Sequence, residues 1–305
     1  MKDTILFGDC RETLKQFDEK ARVCVTSPPY YGLRDYGGEN NQIGQEQTPE
    51  EYVDEMVKVF RLVRDCLTDD GTLWLNIGDS YYNYRSDGNY PKQSVSKTRQ
   101  DLPTKTPVRG NKLEGYKSKD LIGIPWLLAF ALRKDGWYLR QDIIWHKPNP
   151  MPESVKDRCT KAHEYIFLLS KSKNYYYNNE AIKEPVKQDW GTRDRTNGKY
   201  HNEGTGLQPH SGLTKSYTKK NKRSVWTVTK KPYKGAHFAT FPPELIEPCI
   251  KAGSEVGDII LDPFMGSGTT AMVSKMLDRY YIGCELHEDY GDLIQERVPI
   301  NVSYL

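Results

Sequence analysis

Apolar residues recur along this chain both in short continuous runs and at helical spacing, and the two patterns predict alternating strands and helices. Helical spacing is clearest in residues 48–71, where Thr48 and Glu51 stand at the positions of a capping box. The apolar face of this predicted helix comprises Tyr52, Met56, Val59, Phe60 and Val63. The continuous runs predict strands at residues 4–9, 21–27, 71–79, 137–147, 162–172, 257–262 and 280–285.

The carboxyl-terminal part, from residue 235, alternates helix, strand, helix and strand, which indicates a parallel α/β sheet. Two segments lack any period, and they divide the chain into predicted regions. Residues 1–81, 119–173 and 235–305 form one α/β core, and residues 82–118 and 174–234 are insertions.

Charge is distributed unevenly over the 305 residues, although the net charge is only +3. Residues 92–119 carry eight Lys/Arg against two Asp/Glu, and residues 171–234 carry fifteen against five. Lysine-rich loops are often simply solvated, but here both segments also contain aromatic residues, glycines and prolines. An acidic body with two such basic segments indicates a polyanionic partner.

The composition excludes several classes of protein. Charged residues make up 28% of the chain, mean hydropathy is −0.76, and no apolar run is long enough for a membrane span. The first ten residues lack the features of a signal peptide. Six scattered cysteines without a C-x-x-C pair, and six dispersed histidines, predict reduced thiols in a cytoplasm and no metal site.

A glycine turn follows the predicted strand 257–262 and precedes a predicted helix. Gly266 and Gly268 allow a ligand to approach the backbone closely, and Thr269 or Thr270 is expected to cap the helix. Glu285 ends the next strand, about 20 residues after Asp262, where an acidic residue is placed to hold ribose hydroxyls. Neither a P-loop lysine nor the full G-x-G-x-x-G is present, so the pattern favours a nucleoside without a pyrophosphate, such as S-adenosylmethionine.

Ser27-Pro28-Pro29-Tyr30 stands directly behind the strand predicted at 21–27. One proline would make an ordinary strand-ending turn, whereas two prolines stiffen the backbone in front of an aromatic ring. This arrangement indicates a rigid surface for a flat ligand.

Together, Ser27-Pro28-Pro29-Tyr30 and Asp262-Pro263-Phe264-Met265-Gly266-Ser267-Gly268-Thr269-Thr270 resemble the motifs of the DNA amino-methyltransferases. The order of the two motifs is similar to that of the permuted β group. The resemblance implies a Rossmann-like, S-adenosylmethionine-dependent methyltransferase fold with circularly permuted motif order. It also implies that residues 174–234 form a target-recognition region for double-stranded DNA. Relatives of this family commonly dimerise, so a homodimer stays open.

Roles follow from the resemblance residue by residue. Ser27 Oγ and the Pro28 carbonyl would accept the hydrogens of the target amine, Pro29 would hold that carbonyl, and Tyr30 would stack on the base. Cofactor contacts are implied for Asp9, Phe238, Phe241, Pro242, Asp262, Pro263, Phe264, Gly266, Gly268, Thr269 and Glu285. In the second basic segment, DNA contacts are predicted for Lys219, Lys220, Lys222 and Arg223.

Three functions compete at this point. Serine at position 27 favours methylation of cytosine N4, because adenine N6 enzymes of this family more often carry aspartate there. A DNA-binding protein that has lost activity on the same scaffold is disfavoured by the intact Ser27, Tyr30, Gly266, Gly268 and Glu285. The host is expected to be a bacterial or phage-infected cell. Cys249 is expected to be a buried structural thiol, and no role is predicted for Asp79 or Glu164.

Overall fold

A computed structural model describes residues 1–32, 42–82, 113–186, 218–230 and 241–298. The strands of its central sheet are β1 (Thr4–Phe7), β2 (Ala21–Thr26), β3 (Leu67–Ile77), β4 (Tyr138–His146), β5 (His163–Ser170), β8 (Val225–Thr227), β9 (Ile259–Asp262) and β10 (Tyr280–Glu285). These eight strands are arranged in the order β1-β10-β9-β2-β3-β5-β4-β8. β6 (Glu184–Pro185) and β7 (Lys219–Lys220) form a separate antiparallel pair.

Helices cover both faces of the sheet: α1 (Cys10–Thr13), α2 (Pro49–Cys66), α3 (Ile124–Lys134), α4 (Pro243–Gly253), α5 (Thr269–Met276) and α6 (Gly291–Arg297). The apolar faces of α2 and α3 pack with Cys24 and Leu73 on one side of the sheet. α4 packs on the other side with Val23 and Val25, the alternate residues of β2. The sheet is therefore buried on both faces, as the continuous apolar runs of its strands predict.

Strand direction determines which residues meet at each rim of the sheet. β1, β10, β9, β2 and β3 are parallel, so their carboxyl ends share one rim. β5 is antiparallel to β3, and its amino end, with His163 and Glu164, lies at that same rim. β4 and β8 run in the direction of β2, and their carboxyl ends return to it.

The circularly permuted order is confirmed by the sheet. β2, which precedes the Ser-Pro-Pro-Tyr segment, lies directly beside β9, although most of the chain separates them. The turn after β2 and the glycine turn after β9 consequently emerge side by side.

The predicted helix at residues 48–71 begins as expected and ends earlier. Glu51 N donates to Thr48 Oγ1 at 3.1 Å and Thr48 N donates to Glu51 Oε2 at 3.2 Å, which completes the capping box. The helix stops at Cys66, because Leu67 pairs with Ala21 in the sheet and residues 67–70 belong to β3.

Part of the predicted insertion 174–234 belongs to the main sheet. β8 pairs with β4, and the ring of its Trp226 lies 6.3 Å from the ring of Trp74 in β3. Lys222 Nζ lies over the Trp226 ring, 4.9 Å from its centroid. Within the described residues, no helix has the length and apolar character that crossing a membrane requires.

Candidate functional site

A cavity of about 250 Å³ opens at the rim where the parallel strands end. It brings together the two motifs that lie far apart in the sequence. Of the predicted residues, the following line it: Asp9, Ser27, Pro28, Pro29, Tyr30, Phe241, Pro263, Phe264, Gly266, Thr269 and Glu285. Phe238 lies outside the described residues.

Three predicted cofactor residues, Pro242, Asp262 and Gly268, are not on the cavity wall. Pro242 precedes α4, and Gly268 precedes α5 with a φ of 77°, where a side chain would meet Ile294. Asp262 is buried beneath the wall. Their assignment as direct contacts stays a prediction.

Asp262 connects the glycine turn to β2. Its Oδ1 accepts hydrogen bonds from Thr26 Oγ1 at 2.6 Å and from Phe264 N at 3.0 Å, and its Oδ2 accepts one from Thr270 Oγ1 at 2.6 Å. Burial raises the pKa of this carboxyl to about 6 in spite of these bonds. The prediction that Thr269 or Thr270 caps α5 is wrong. Gly268 occupies the capping position and makes no side-chain bond there, and the Thr270 hydroxyl donates to Asp262 instead.

Glu285 is the buried carboxylate of the cavity. Its Oε2 accepts from Gly266 N at 2.7 Å and its Oε1 accepts from His287 N at 3.0 Å, so both oxygens are fixed in position. Burial raises the pKa of Glu285 to about 7, and the nearby Asp262 contributes to the increase. Each oxygen retains acceptor capacity that hydroxyl groups of a ligand can use.

Asp9 lies on the same wall as the amino-terminal cap of α1. Its side chain accepts from Arg11 N at 2.8 Å and from Arg11 Nε at 2.9 Å, and Arg11 pairs in turn with Glu55 at 3.0 Å. Although burial opposes ionisation, these bonds and the charge of Arg11 lower the pKa of Asp9. This carboxylate is therefore ionised at neutral pH.

The Ser-Pro-Pro-Tyr segment and the residue after it are held by hydrogen bonds to α2 and to the turn that precedes α2. Tyr52 Oη donates to the Pro29 carbonyl at 2.9 Å, and Tyr31 Oη donates to the Gln47 carbonyl at 3.2 Å. These bonds add to the stiffness of the two prolines, so the segment is rigid before any ligand is present.

The Tyr30 ring is fixed at two points. Its hydroxyl donates to Glu164 Oε2 at 2.9 Å, and Ser27 Oγ lies 3.5 Å from the same hydroxyl. At the ring itself, a Cβ atom added at Gly78 would lie 2.6 Å from Tyr30 Cε2, so only glycine allows this approach. Burial and the charge of Glu164 raise the pKa of Tyr30 well above its usual value, which keeps the hydroxyl protonated.

Glu164, Lys147 and Asn76 also line the cavity, and no sequence prediction included them. Lys147 forms an ion pair with Glu164, and its Nζ lies 4.2 Å from the centroid of the Trp145 ring. Asn76 Nδ2 donates to the Tyr165 carbonyl at 3.0 Å. The signal that could have indicated Glu164 is an acidic residue at the second position of a strand whose later residues, from Ile166 to Leu169, are apolar and buried.

The four predicted DNA-binding residues lie elsewhere. Lys219, Lys220, Lys222 and Arg223 precede β8, toward the amino ends of β4 and β8, whereas Lys230 follows β8 and lines the cavity. Lys220 and Arg223 both pair with Glu184, at 3.6 and 2.6 Å. Ion pairs near the protein surface contribute little to stability.

Two further residues have structural roles. Asp79 Oδ1 accepts from Gly123 N at 3.0 Å and from Ile124 N at 3.1 Å, which satisfies the first turn of α3. Cys249 is buried in α4, and burial raises the pKa of its thiol, as expected for a structural cysteine.

The geometry suits two ligands that meet in one cavity. On one side, the glycine turn and the Glu285 carboxylate offer backbone approach and acceptors for the hydroxyls of a nucleoside. On the other side, Tyr30 offers an aromatic surface beside Ser27 Oγ and the Pro28 carbonyl, which can accept the hydrogens of an amine.

Comparison with known proteins agrees with this geometry. The family model described as "DNA methylase", for N6 and N4 methyltransferases, matches residues 21–296. The Type II methyltransferase M.SmaI of Serratia marcescens is 48% identical over 300 residues, which cover 96% of this chain and 90% of that protein.

Two solved structures show the same fold. PvuII DNA methyltransferase (cytosine-N4-specific) has a TM-score of 0.62 at 18% identity, over 99% of this chain and 90% of that one. A DNA modification methylase from Thermus thermophilus, in complex with S-adenosyl-L-methionine, has a TM-score of 0.58 at 24% identity, over 96% and 92% of the two chains. The chain therefore belongs to the permuted β group of S-adenosylmethionine-dependent DNA methyltransferases, which act on exocyclic N4 or N6 amines.

Proposed function

We propose that the protein transfers a methyl group from S-adenosylmethionine to the N4 amine of a cytosine that is flipped out of a specific site in duplex DNA. The observation that supports this most is the position of Ser27 and Tyr30 on one cavity wall with Gly266 and Glu285. Serine at position 27 favours cytosine over adenine, because adenine N6 enzymes of this family more often carry aspartate at that position.

The residues around the glycine turn would hold the cofactor. Glu285 would accept the ribose hydroxyls, Gly266 permits close approach of the backbone, and Phe241 and Phe264 supply apolar surface on the same wall. When bound, S-adenosylmethionine supplies an electrophilic methyl group. Asp9 lies on this wall as an ionised acceptor for further polar groups of the cofactor.

The Ser-Pro-Pro-Tyr segment would activate the amine. The lone pair of an exocyclic amine is delocalised into the base, so the nitrogen is a poor nucleophile until it becomes tetrahedral. Ser27 Oγ and the Pro28 carbonyl would accept hydrogen bonds from the two N–H groups of the amine. These bonds would direct the nitrogen lone pair toward the methyl donor. Because Tyr52 and the prolines fix this segment, the acceptors need no reorganisation during the reaction.

One experiment tests the reaction and the target base together. Duplex DNA is incubated with the enzyme and S-adenosylmethionine labelled in the methyl group, and the DNA is digested to nucleosides for mass spectrometry. Label in N4-methyldeoxycytidine supports the proposal. Label in N6-methyldeoxyadenosine would assign the adenine reaction, and absence of label would favour the inactive DNA-binding scaffold.

Replacing Gly78 with alanine should move the Tyr30 ring, because the new methyl group would occupy space that the ring fills. We expect the single-turnover methylation rate to fall by about tenfold, in keeping with one perturbed stacking contact. S-adenosylmethionine affinity, measured by calorimetry, should be unchanged. The double variant Gly78→Ala/Tyr30→Ala should be no slower than Tyr30→Ala alone; additive losses would place the effect of Gly78 elsewhere.

The affinity for S-adenosylmethionine should depend on pH through Glu285. Its pKa is about 7 in the free protein, and hydroxyl donors bind the ionised carboxylate better than the protonated form. Affinity is thus greatest above pH 7 and decreases as pH falls, by about tenfold between pH 8 and pH 6. Calorimetry is carried out at each pH on the wild type and on Glu285→Gln. The variant should lose the pH dependence of affinity that comes from Glu285 and keep any that comes from titration of the ligand.

The basic segment before β8 should contribute to DNA affinity through charge. Neutralising Lys219, Lys220, Lys222 and Arg223 to glutamine is expected to flatten the plot of log affinity against log salt, by about one unit for each phosphate that the protein no longer neutralises. S-adenosylmethionine affinity should not change. A control variant neutralises four exposed cations on α2 and α3: Lys58, Arg61, Arg133 and Lys134. Equal slopes for the two variants would show that the segment before β8 does not bind phosphates.

A further inference from the structure

Lys147 stands out among the residues of the cavity because its charge is held in place. Its side chain is only 14% exposed, although it belongs to the long connection between β4 and β5. The ammonium group is paired with Glu164 and lies 4.2 Å from the Trp145 ring centroid. An ammonium group has three N–H donors, so these two partners leave donor capacity for a ligand.

A continuous series of polar contacts connects Lys147 to the amine-binding end of the cavity. Ser27 Oγ lies 3.5 Å from Tyr30 Oη, Tyr30 Oη donates to Glu164 at 2.9 Å, and Glu164 pairs with Lys147. Ser27 Oγ, an acceptor for an amine, therefore stands at one end of this series of contacts, and the cationic donor Lys147 stands at the other end. A base whose amine is bound by Ser27 would present its remaining polar atoms along this series of contacts.

The Watson–Crick edge of cytosine matches this arrangement. Along that edge, cytosine presents the N4 amine, the ring acceptor N3 and the carbonyl acceptor O2. Adenine presents the N6 amine and the acceptor N1, and then a C–H group where cytosine has its carbonyl. A donor placed beyond the ring nitrogen has a partner on cytosine and none on adenine, and enzymes that flip bases recognise them by such bonds.

We propose that Lys147 is a specificity-determining residue of the base pocket, which donates a hydrogen bond to the O2 carbonyl of the flipped cytosine. The inference rests on the proposed N4-cytosine function. Glu164 would act as a positioning residue, because it holds Lys147 and Tyr30 at once. Its carboxylate also balances the charge of Lys147 before the base arrives.

Lys230 provides a matched control, since it is a second lysine on the cavity wall. It follows β8, and its backbone exchanges two hydrogen bonds with the Asn149 side chain, at 3.0 and 3.2 Å. A lysine that binds a DNA phosphate would respond to salt and not to the chemistry of the target base.

The test removes the carbonyl from the substrate and the ammonium group from the protein. The product and the methylated position are first identified with the wild type. DNA duplexes are then synthesised that carry either cytosine or a 2-aminopyridine C-nucleoside at that position. The analogue keeps the amine and the ring nitrogen and lacks the carbonyl. Methylation rates at limiting DNA are then measured for the wild type, Lys147→Met and Lys230→Met, and calorimetry with S-adenosylmethionine confirms that each variant is folded.

Loss of the carbonyl should slow the wild type and Lys230→Met by about tenfold or more, as for a hydrogen bond to a charged group. Lys147→Met should be slow on both substrates and should differ between them by no more than about twofold. The proposal is overturned if loss of the carbonyl slows Lys147→Met as much as it slows the wild type. It is also overturned if the wild type methylates both substrates at the same rate. The second outcome needs no variant and so holds even if Lys147→Met misfolds. Formation of N6-methyladenine by the wild type would instead refute the proposed function itself.

Discussion

Replacing Ser27 with alanine should lower the single-turnover rate of methyl transfer by about 100-fold, the cost typical of removing one preorganised polar group at a reacting centre. The hydroxyl lies on the cavity wall, 3.5 Å from Tyr30 Oη, and takes no part in the bonds that fix Glu285 or Asp262. Its loss therefore removes an acceptor for the amine and leaves the cofactor side intact. Rapid quench with labelled S-adenosylmethionine measures the rate directly.

Two measurements distinguish this loss from general damage. S-adenosylmethionine and DNA affinities of Ser27→Ala should stay within about twofold of the wild type, because the effect belongs to the transition state. Ser172→Ala is the matched control, since Ser172 follows β5 at the rim opposite Glu164 and its hydroxyl only donates to the Asn174 carbonyl. A Ser27→Ala enzyme with the turnover of the wild type would remove Ser27 from the mechanism.

The fold could be predicted largely because most of its strands have a clear pattern in the sequence. Continuous apolar runs such as those of β2 and β9 arise from burial on both faces, and the motif order then determines the permuted arrangement. β8 could not be predicted, since three residues have no period, and its place in the sheet follows from pairing with β4, which is distant in sequence.

The candidate site was predictable where its residues form a local motif. Gly266 and Glu285 could be placed together because each follows a parallel strand, and carboxyl ends of parallel strands meet at one rim. Asp262 shows the limit of this reasoning. Its position at a strand end was correct, but whether its oxygens point into the cavity or toward Thr26 depends on side-chain packing.

Sequence reasoning did not place Glu164 and Lys147 at the site, because their position depends on strand direction. β5 begins at the rim where β2 and β3 end, and this follows from its antiparallel pairing with β3. The sequence contains no local mark of that direction. The role of Gly78 could not be predicted either. Position 78 has no room for a side chain because the Tyr30 ring packs against it, and Tyr30 is distant in sequence.

Replacing Glu285 with alanine should weaken S-adenosylmethionine binding by about 100-fold, as expected when hydrogen bonds from two hydroxyls to a charged group are lost. Two effects combine. The ribose hydroxyls would lose their acceptor, and Gly266 N and His287 N would lose the oxygens that they now bind at 2.7 and 3.0 Å. Calorimetry gives the affinity, and single-turnover rates at increasing S-adenosylmethionine show whether saturation restores the rate.

Because Glu285 does not lie in the Ser-Pro-Pro-Tyr segment, the rate at saturating S-adenosylmethionine should recover to within about threefold of the wild type. This makes Glu285→Ala the converse of Ser27→Ala, in which affinity is kept and rate is lost. Glu288→Ala is the matched control, as Glu288 is an exposed acidic residue three positions along the chain. If Glu285→Ala bound S-adenosylmethionine as tightly as this control, the buried carboxylate would serve only to fix the glycine turn, and the ribose site would have to be assigned to other residues.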